Sequence, residues 1–148
     1  MKLKDLLGNI EVLELVGSAE KQINGIEFDS RNVKTDFAFV AQRGVHVDGH
    51  KFIEKAIEKG ATVVVCEEMP ASVSAEITFV KVGDSNQVLG ELSSAFYDFP
   101  SKKMKVIGIT GTNGKTSIAT LLHKLFLQQG YNVGLISTIS YKINEHEE

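Results

Sequence analysis

The residues of this chain best suited to chemistry lie in Gly108-Ile109-Thr110-Gly111-Thr112-Asn113-Gly114-Lys115-Thr116. Gly108, Gly111 and Gly114 recur every third position, so the backbone can turn tightly with no side chains in the way. Successive N–H groups can then surround phosphate oxygens at the start of a following helix. Lys115 supplies a full positive charge for β- and γ-phosphates, and the Thr116 hydroxyl suits Mg²⁺. The pattern points to a nucleoside triphosphate, ATP foremost. Strict spacing, G-x-x-x-x-G-K-[ST], would place glycine at position 109, where isoleucine stands, so the first glycine is displaced by one. A dinucleotide-binding turn would need G-x-G-x-x-G and has no use for the lysine. A purely structural turn has no need for Gly-Lys-Thr at a helix start.

Other reactive residue types offer less. Cys66 ends the apolar run Val63-Val64-Val65 and reads as a small buried core residue, with no helix start or basic neighbour to lower its pKa. Being the single cysteine, it can form no intrachain disulfide, which fits a reducing compartment. His50 and His123 read as a helix-start and a helix-face residue without an assigned role. No His/Cys/Asp/Glu spacing suggests zinc, and no Ser/His/Asp set emerges. The 148 residues are 43% hydrophobic and 24% charged, the balance of a globular protein. A net charge of −3 provides no broad basic field, which argues against nucleic acid as a partner. The start, with Leu3, Leu6, Leu7 and Ile10 at helical spacing between charges, is no secretory signal. No segment approaches the roughly 20 apolar residues that span a bilayer. The expectation is a soluble, cytoplasmic protein with no membrane and no obligate protein partner.

The elements that must position the loop follow from periodicity. After a short first helix, Gly25 to Phe28 and Phe37 to Ala41 read as strands, followed by a loop from Gln42 to Gly49. His50 to Lys59 carries an apolar stripe of Phe52, Ile53, Ala56 and Ile57 and reads as a helix closed by Gly60. Ala61 to Cys66 and Ile77 to Val82 are strand-like. Asp84 with Gln87 resembles a capping box opening a helix with Val88, Leu92, Ala95, Phe96 and Phe99 on one side, stopped by Pro100. Strands alternating with helices indicate an α/β domain with a mixed or largely parallel sheet. Tyr97 to Lys105 reads as a junction. Beyond it, Val106 to Ile109 is expected as a buried strand, Lys115 to Gln129 as a helix with Ile118, Leu121, Leu122 and Leu125 in its stripe, and Val133 to Ser137 as the next strand. A β-loop-α-β unit of about 40 residues is too small to stand alone, so the second domain is expected to be incomplete. The division expected is residues 1–103 and residues 104–148.

In its variant form, the string Gly108 to Thr116 resembles the ATP loop of the Mur ligases, which build the peptide stem of bacterial peptidoglycan. The resemblance covers nearly the whole chain. Phe28-Asp29-Ser30-Arg31 resembles the D-S-R element of the family's uridine-nucleotide-binding domain. Val47-Asp48-Gly49-His50-Lys51-Phe52-Ile53, with Ala56-Ile57 and Gly60-Ala61, resembles a D-G-H-x-F-I…A-I…G-A segment shared by the members that add the third residue and the terminal dipeptide. Phe96-Tyr97-Asp98-Phe99-Pro100-Ser101 is similar to the F-Y-x-x-P-S junction of the third-residue members. Gly134-Leu135-Ile136-Ser137-Thr138-Ile139 is similar to their following strand, with Ser137 and Ser140 where the family usually has glycines.

The resemblance implies an α/β fold: an amino-terminal mixed-sheet uridine-nucleotide-binding domain, then the first β-loop-α-β unit of a truncated P-loop ATPase domain. It implies an ATP-dependent ligase in peptidoglycan biosynthesis. The carboxylate of UDP-N-acetylmuramoyl-L-alanyl-D-glutamate would be activated by the γ-phosphoryl of ATP and attacked by the amine of meso-diaminopimelate or L-lysine, with ADP and phosphate as products. Gly111, Thr112, Asn113, Gly114, Lys115, Thr116 and Ser117 would hold ATP, with Lys115 as catalytic residue and Thr116 as Mg²⁺ ligand. Phe28, Ser30, Val45, His46 and Val47 would hold the uridine diphosphate, Val45 and His46 mainly through their backbone. The sister ligase that adds D-alanyl-D-alanine shares the D-S-R and D-G-H elements but as a rule lacks the F-Y-x-x-P-S junction. A folylpolyglutamate synthetase shares the loop, usually near its amino terminus, and a non-catalytic nucleotide-binding module is the alternative from another class. Acidic Mg²⁺ ligands, a modified lysine and the domain for the incoming amino acid would lie beyond Glu148, so no ligase activity is expected of this chain by itself.

Overall fold

The computed structural model describes the chain except residues 9, 45, 46, 73 and 148. The chain divides into two compact units, Met1–Met104 and Lys105–Glu148.

In the first unit, β1 (Glu14–Val16), β2 (Gly25–Glu27), β3 (Phe37–Val40), β4 (Ala61–Cys66) and β5 (Thr78–Lys81) form one sheet in the order β1-β5-β4-β3-β2. Only the edge strand β1 runs antiparallel, so the sheet is mixed. Alternation along the strands sorts the core onto two faces. Ala38, Val40, Val63, Val65, Val80 and Val82 pack with Leu3 and Leu6 of α1 (Leu3–Leu6) and with Val88 and Leu92 of α3 (Ser85–Phe96). Phe39, Ala41, Val64, Cys66 and Phe79 face the other way, against Ile53 and Ala56 of α2 (Ile53–Glu58). Helices on both faces explain why β3 and β4 are continuous apolar runs. A four-residue helix is unstable by itself, and α1 is held by its two buried leucines and by Glu20, whose carboxylate meets Lys2 at 2.8 Å and Lys4 at 2.7 Å.

The helix expected from His50 begins earlier and differently, as a 3₁₀ turn over Gly49–Phe52 capped by Asp48, and becomes α-helical only at Ile53. Asp84 caps α3 as expected, accepting from the backbone N–H groups of Asn86 and Gln87 at 2.9 and 3.0 Å. The reciprocal half of the capping box is absent, because the Gln87 amide donates to Glu91 instead. Nor does Pro100 merely stop α3. The chain passes through left-handed backbone at Asp98 and Phe99, and Pro100 opens a further short helix, α4 (Pro100–Lys103), where its missing N–H costs nothing.

The second unit holds α5 (Lys115–Gln128) and a sheet of β6 (Gly134–Ile136), β7 (Tyr141–Ile143) and β8 (His146–Glu147), paired antiparallel in sequence order. The expected strand Val106 to Ile109 does not form: the segment is irregular, and Val106 and Ile107 are 68% and 58% exposed. A strand exists only by pairing, and no described strand lies alongside this one. The stripe Ile118, Leu121 and Leu125 is likewise exposed, whereas the helix turns His123 inward. Among the described residues, no helix is long and apolar enough to cross a membrane.

Candidate functional site

In the second unit, the glycine-rich loop runs directly into α5. Gly111 has φ +149° and Gly114, the residue before the helix, φ +76°, conformations that side-chain-bearing residues rarely adopt. A side chain built at Gly114 would meet nothing within 4 Å, so the space beside the helix mouth is open. No side chain caps α5, and the first amide to bond within it is that of Ile118, to Gly114 O at 2.9 Å. The N–H groups of Lys115, Thr116 and Ser117 therefore have no intrahelical partner. Lys115 Nζ curls back to donate to Gly111 O at 2.5 Å and Thr112 O at 3.4 Å. It pairs with no carboxylate among the described residues, and residues Gly111 to Lys115 are all exposed. An anion entering the loop thus finds free amides, a helix start and an ammonium held only by carbonyls it can leave.

This arrangement suits a triphosphate tail. Thr116 is half-buried in the first turn of α5 and Ser117 follows it exposed. Among the described residues, no group of three His, Cys, Asp or Glu side chains could hold a metal ion.

In the first unit, the carboxyl ends of the parallel strands bring a second group of residues to one edge of the sheet, where ligands of open α/β sheets bind. At the exit of β2, Phe28 is 57% exposed and Ser30 is buried to 6%. Between and beyond them, Asp29 accepts from the backbone N–H of Arg31 at 2.9 Å and from its guanidinium at 3.0 and 2.6 Å. The turn is closed rather than loosely solvated. The Arg31 hydrogen bonds hold the Asp29 carboxyl down at about 2. Lys59 Nζ donates to Arg31 O at 2.6 Å, fastening this turn to α2.

At the exit of β3, the loop closes on itself: Arg43 bridges Asp48, and the Gly44 N–H donates to Val47 O at 2.9 Å. Val47 is 57% exposed, while Val45 and His46, expected to contact the nucleotide, lie outside the described residues. Around this loop stands a polar network that residue spacing did not reveal. Arg43 lies 4.0 Å from Asp48 and 3.7 Å from Glu67 and also meets Glu68. Glu67 accepts from the Ser85 N–H at 3.0 Å and hydroxyl at 2.7 Å, which keep its carboxyl below the usual range. Gln42 donates to Asn86 at 2.8 Å. The D-G-H spacing was the one local signal for this network; Glu67, Ser85 and Asn86 arrive from elements far off in sequence. Cys66, at the end of β4, is fully buried and its thiol is pushed up to about 11 by that burial, in keeping with a core role.

Comparison with known proteins covers the segments that hold both groups of residues. The family described as "Mur ligase family, catalytic domain" matches residues 22–97, and the "Mur ligase middle domain" matches residues 109–148. A Phocaeicola vulgatus protein named UDP-N-acetylmuramoyl-L-alanyl-D-glutamate--2,6-diaminopimelate ligase is 47% identical over 145 residues, covering 98% of this chain and 30% of that protein. A solved structure of a ligase of the same name superposes with a TM-score of 0.73 at 25% identity, over 99% of this chain and 29% of the other. The MurF ligase from Thermotoga maritima in complex with ADP gives a TM-score of 0.57 at 26% identity, over 72% of this chain and 23% of its own. This chain therefore spans about 30% of the length of such relatives. Its residues 22–97 alone make up more than half of it, and the chain belongs to the Mur ligase family.

Proposed function

We propose that this chain carries the uridine-nucleotide site and the triphosphate loop of an ATP-dependent ligase. The reaction adds the third residue, a diamino acid, to UDP-N-acetylmuramoyl-L-alanyl-D-glutamate in peptidoglycan biosynthesis. The observation that carries the reading is Lys115: an exposed ammonium at the mouth of α5, bonded among the described residues only to the carbonyls of Gly111 and Thr112. A lysine that served structure alone would pair with a carboxylate or lie along the surface, whereas this one waits on the loop that an anion would fill.

The chemistry follows from charge. A carboxylate is a poor electrophile, and transferring the γ-phosphoryl of ATP to one of its oxygens provides a leaving group that an amine can displace as phosphate. The negative charge that builds on the transferred group is what the amides at the start of α5 and the Lys115 ammonium would stabilise. Thr112, Asn113 and Ser117 line the same stretch, and Ser117 adds a hydroxyl beside the free amides of the first turn. Mg²⁺, when bound through the Thr116 hydroxyl, would neutralise phosphate charge. In the first unit, exposed Phe28 offers a face for the uracil ring, Ser30 a hydroxyl, and the backbone of Val45, His46 and Val47 the donors for a diphosphate. These assignments rest on the resemblance of the D-S-R and D-G-H segments to the family, supported by the place of Phe28 and Ser30 at the exit of β2. The third-residue assignment draws support from the Phocaeicola vulgatus relative, whose name specifies 2,6-diaminopimelate. L-lysine in its place is a second outcome for the same amine chemistry.

Equilibrium binding of ATP with Mg²⁺ tests the loop. Lys115→Ala is expected to weaken binding at least about 10-fold, the loss of one charge-assisted contact. Equal affinity in the two proteins would remove the basis of this reading.

A further inference from the structure

Residue spacing assigned His50 no role, yet both nitrogens of its ring have hydrogen-bond partners at the strand exits. Nε2 lies 3.0 Å from the backbone nitrogen of Glu67 and 3.3 Å from that of Glu68. Both partners are amide N–H groups that can only donate, so Nε2 must accept with its lone pair and carry no proton. The ring proton therefore sits on Nδ1, which lies 2.7 Å from Asp48 Oδ1. The same carboxylate oxygen accepts from the His50 backbone N–H at 3.0 Å. The side chain is only 12% exposed.

Through this one neutral imidazole, the end of the loop that closes at Arg43 and Asp48 is joined to the turn leaving β4. Gly49, between Asp48 and His50, lets the loop base press against β3. Its N–H donates to Gln42 O at 2.7 Å, and a side chain there would come within 2.7 Å of that same oxygen. The far side of the turn is fixed by the Glu67 carboxylate on Ser85, and Arg43 leans on Glu67, Glu68 and Asp48. Among the described residues, His50 is thus the one side chain whose hydrogen bonds cross from the loop base to the backbone of the β4 exit.

We propose that His50 is the positioning residue of the uridine-nucleotide site: locked as the neutral Nδ1–H tautomer, it fixes the loop base from Val47 to Gly49 against the β4 exit without touching the ligand. The proposal rests on the reading of the first unit as that site. Its distinctive demand is an acceptor at the Nε2 position. Glutamine can place an amide oxygen near that position, whereas asparagine reaches only as far as Nδ1.

The test is calorimetric titration of the chain with UDP-N-acetylmuramoyl-L-alanyl-D-glutamate, together with amide hydrogen exchange. His50→Gln should keep affinity to within about 3-fold, and His50→Asn should lose about 10-fold or more. Exchange should accelerate at the Glu67 and Glu68 amides in His50→Asn while the β3 and β4 amides stay protected. Wild-type affinity in His50→Asn, or equal losses in both variants, overturns the proposal while leaving the uridine reading intact. Absence of binding by wild type overturns that reading and this proposal with it. Should His50→Asn fail to fold, the ¹⁵N spectrum of the wild-type imidazole decides: a proton on Nδ1 supports the assignment and one on Nε2 overturns it.

Discussion

Lys115 and Ser30 show how differently single residues announce themselves. Lys115 was legible because glycines three apart, a lysine and a threonine have few other uses together, and the structure leaves that lysine on loop carbonyls. Ser30 was legible only by resemblance; its burial to 6% beside an exposed Phe28 is a product of the turn that Asp29 and Arg31 close. That turn makes a pH prediction. Asp29 sits at about 2 in the folded chain against an ordinary value of 3.8. The unfolded chain binds its proton first, so the stabilisation is present above about pH 4 and is lost as pH falls through 2. Urea unfolding across that window should show a shallower acid decline in Arg31→Ala than in wild type, and identical declines would contradict the assignment. Ser30→Ala should weaken the uridine substrate by about 10-fold while leaving unfolding nearly unchanged, as expected for a hydroxyl that bonds a ligand rather than the core. His50 escaped notice because its partners are backbone amides brought close by the register of β4, and residue spacing carries no trace of them.

At the scale of elements, patterns complete in themselves were readable. The apolar runs of β3 and β4, the stripe of α3 and its Asp84 cap all rest on local periodicity. Removing the cap in Asp84→Ala should cost about 1 kcal/mol, measured by thermal or urea unfolding. Leu92→Ala, which empties a fully buried site between α3 and the sheet, should cost about 2–5 kcal/mol. A cap effect as large as the core effect would show that the helix start does more than satisfy two amides. What the sequence could not convey was pairing. Val106 to Ile109 has the composition of a buried strand, yet a ladder needs a neighbour. β1 escaped notice for the opposite reason, since a three-residue edge strand of Glu14, Leu15 and Val16 lacks a buried pattern of its own. The hairpin of β6 and β7 was hidden in the same way, with Gly134 to Ile136 pairing to the residues that follow rather than to a parallel partner.

Across the whole molecule, the two units differ in how much apolar surface they bury. Both hydrophobic clusters draw all their residues from the first unit. In the second, Leu135 is the one hydrophobic residue among those described to be buried, and Ile118, Leu121, Ile136 and Ile139 stand exposed. Stability scales with such burial, so a chain ending at Met104 should unfold with the same midpoint as the longer chain. The central claim is that the first unit holds a uridine-nucleotide site at the carboxyl ends of its parallel strands. Titrating UDP-N-acetylmuramoyl-L-alanyl-D-glutamate into the full chain and into residues 1–104 measures it most directly. One saturable site per chain with equal affinity in both is the predicted result; no saturable binding to either would contradict it.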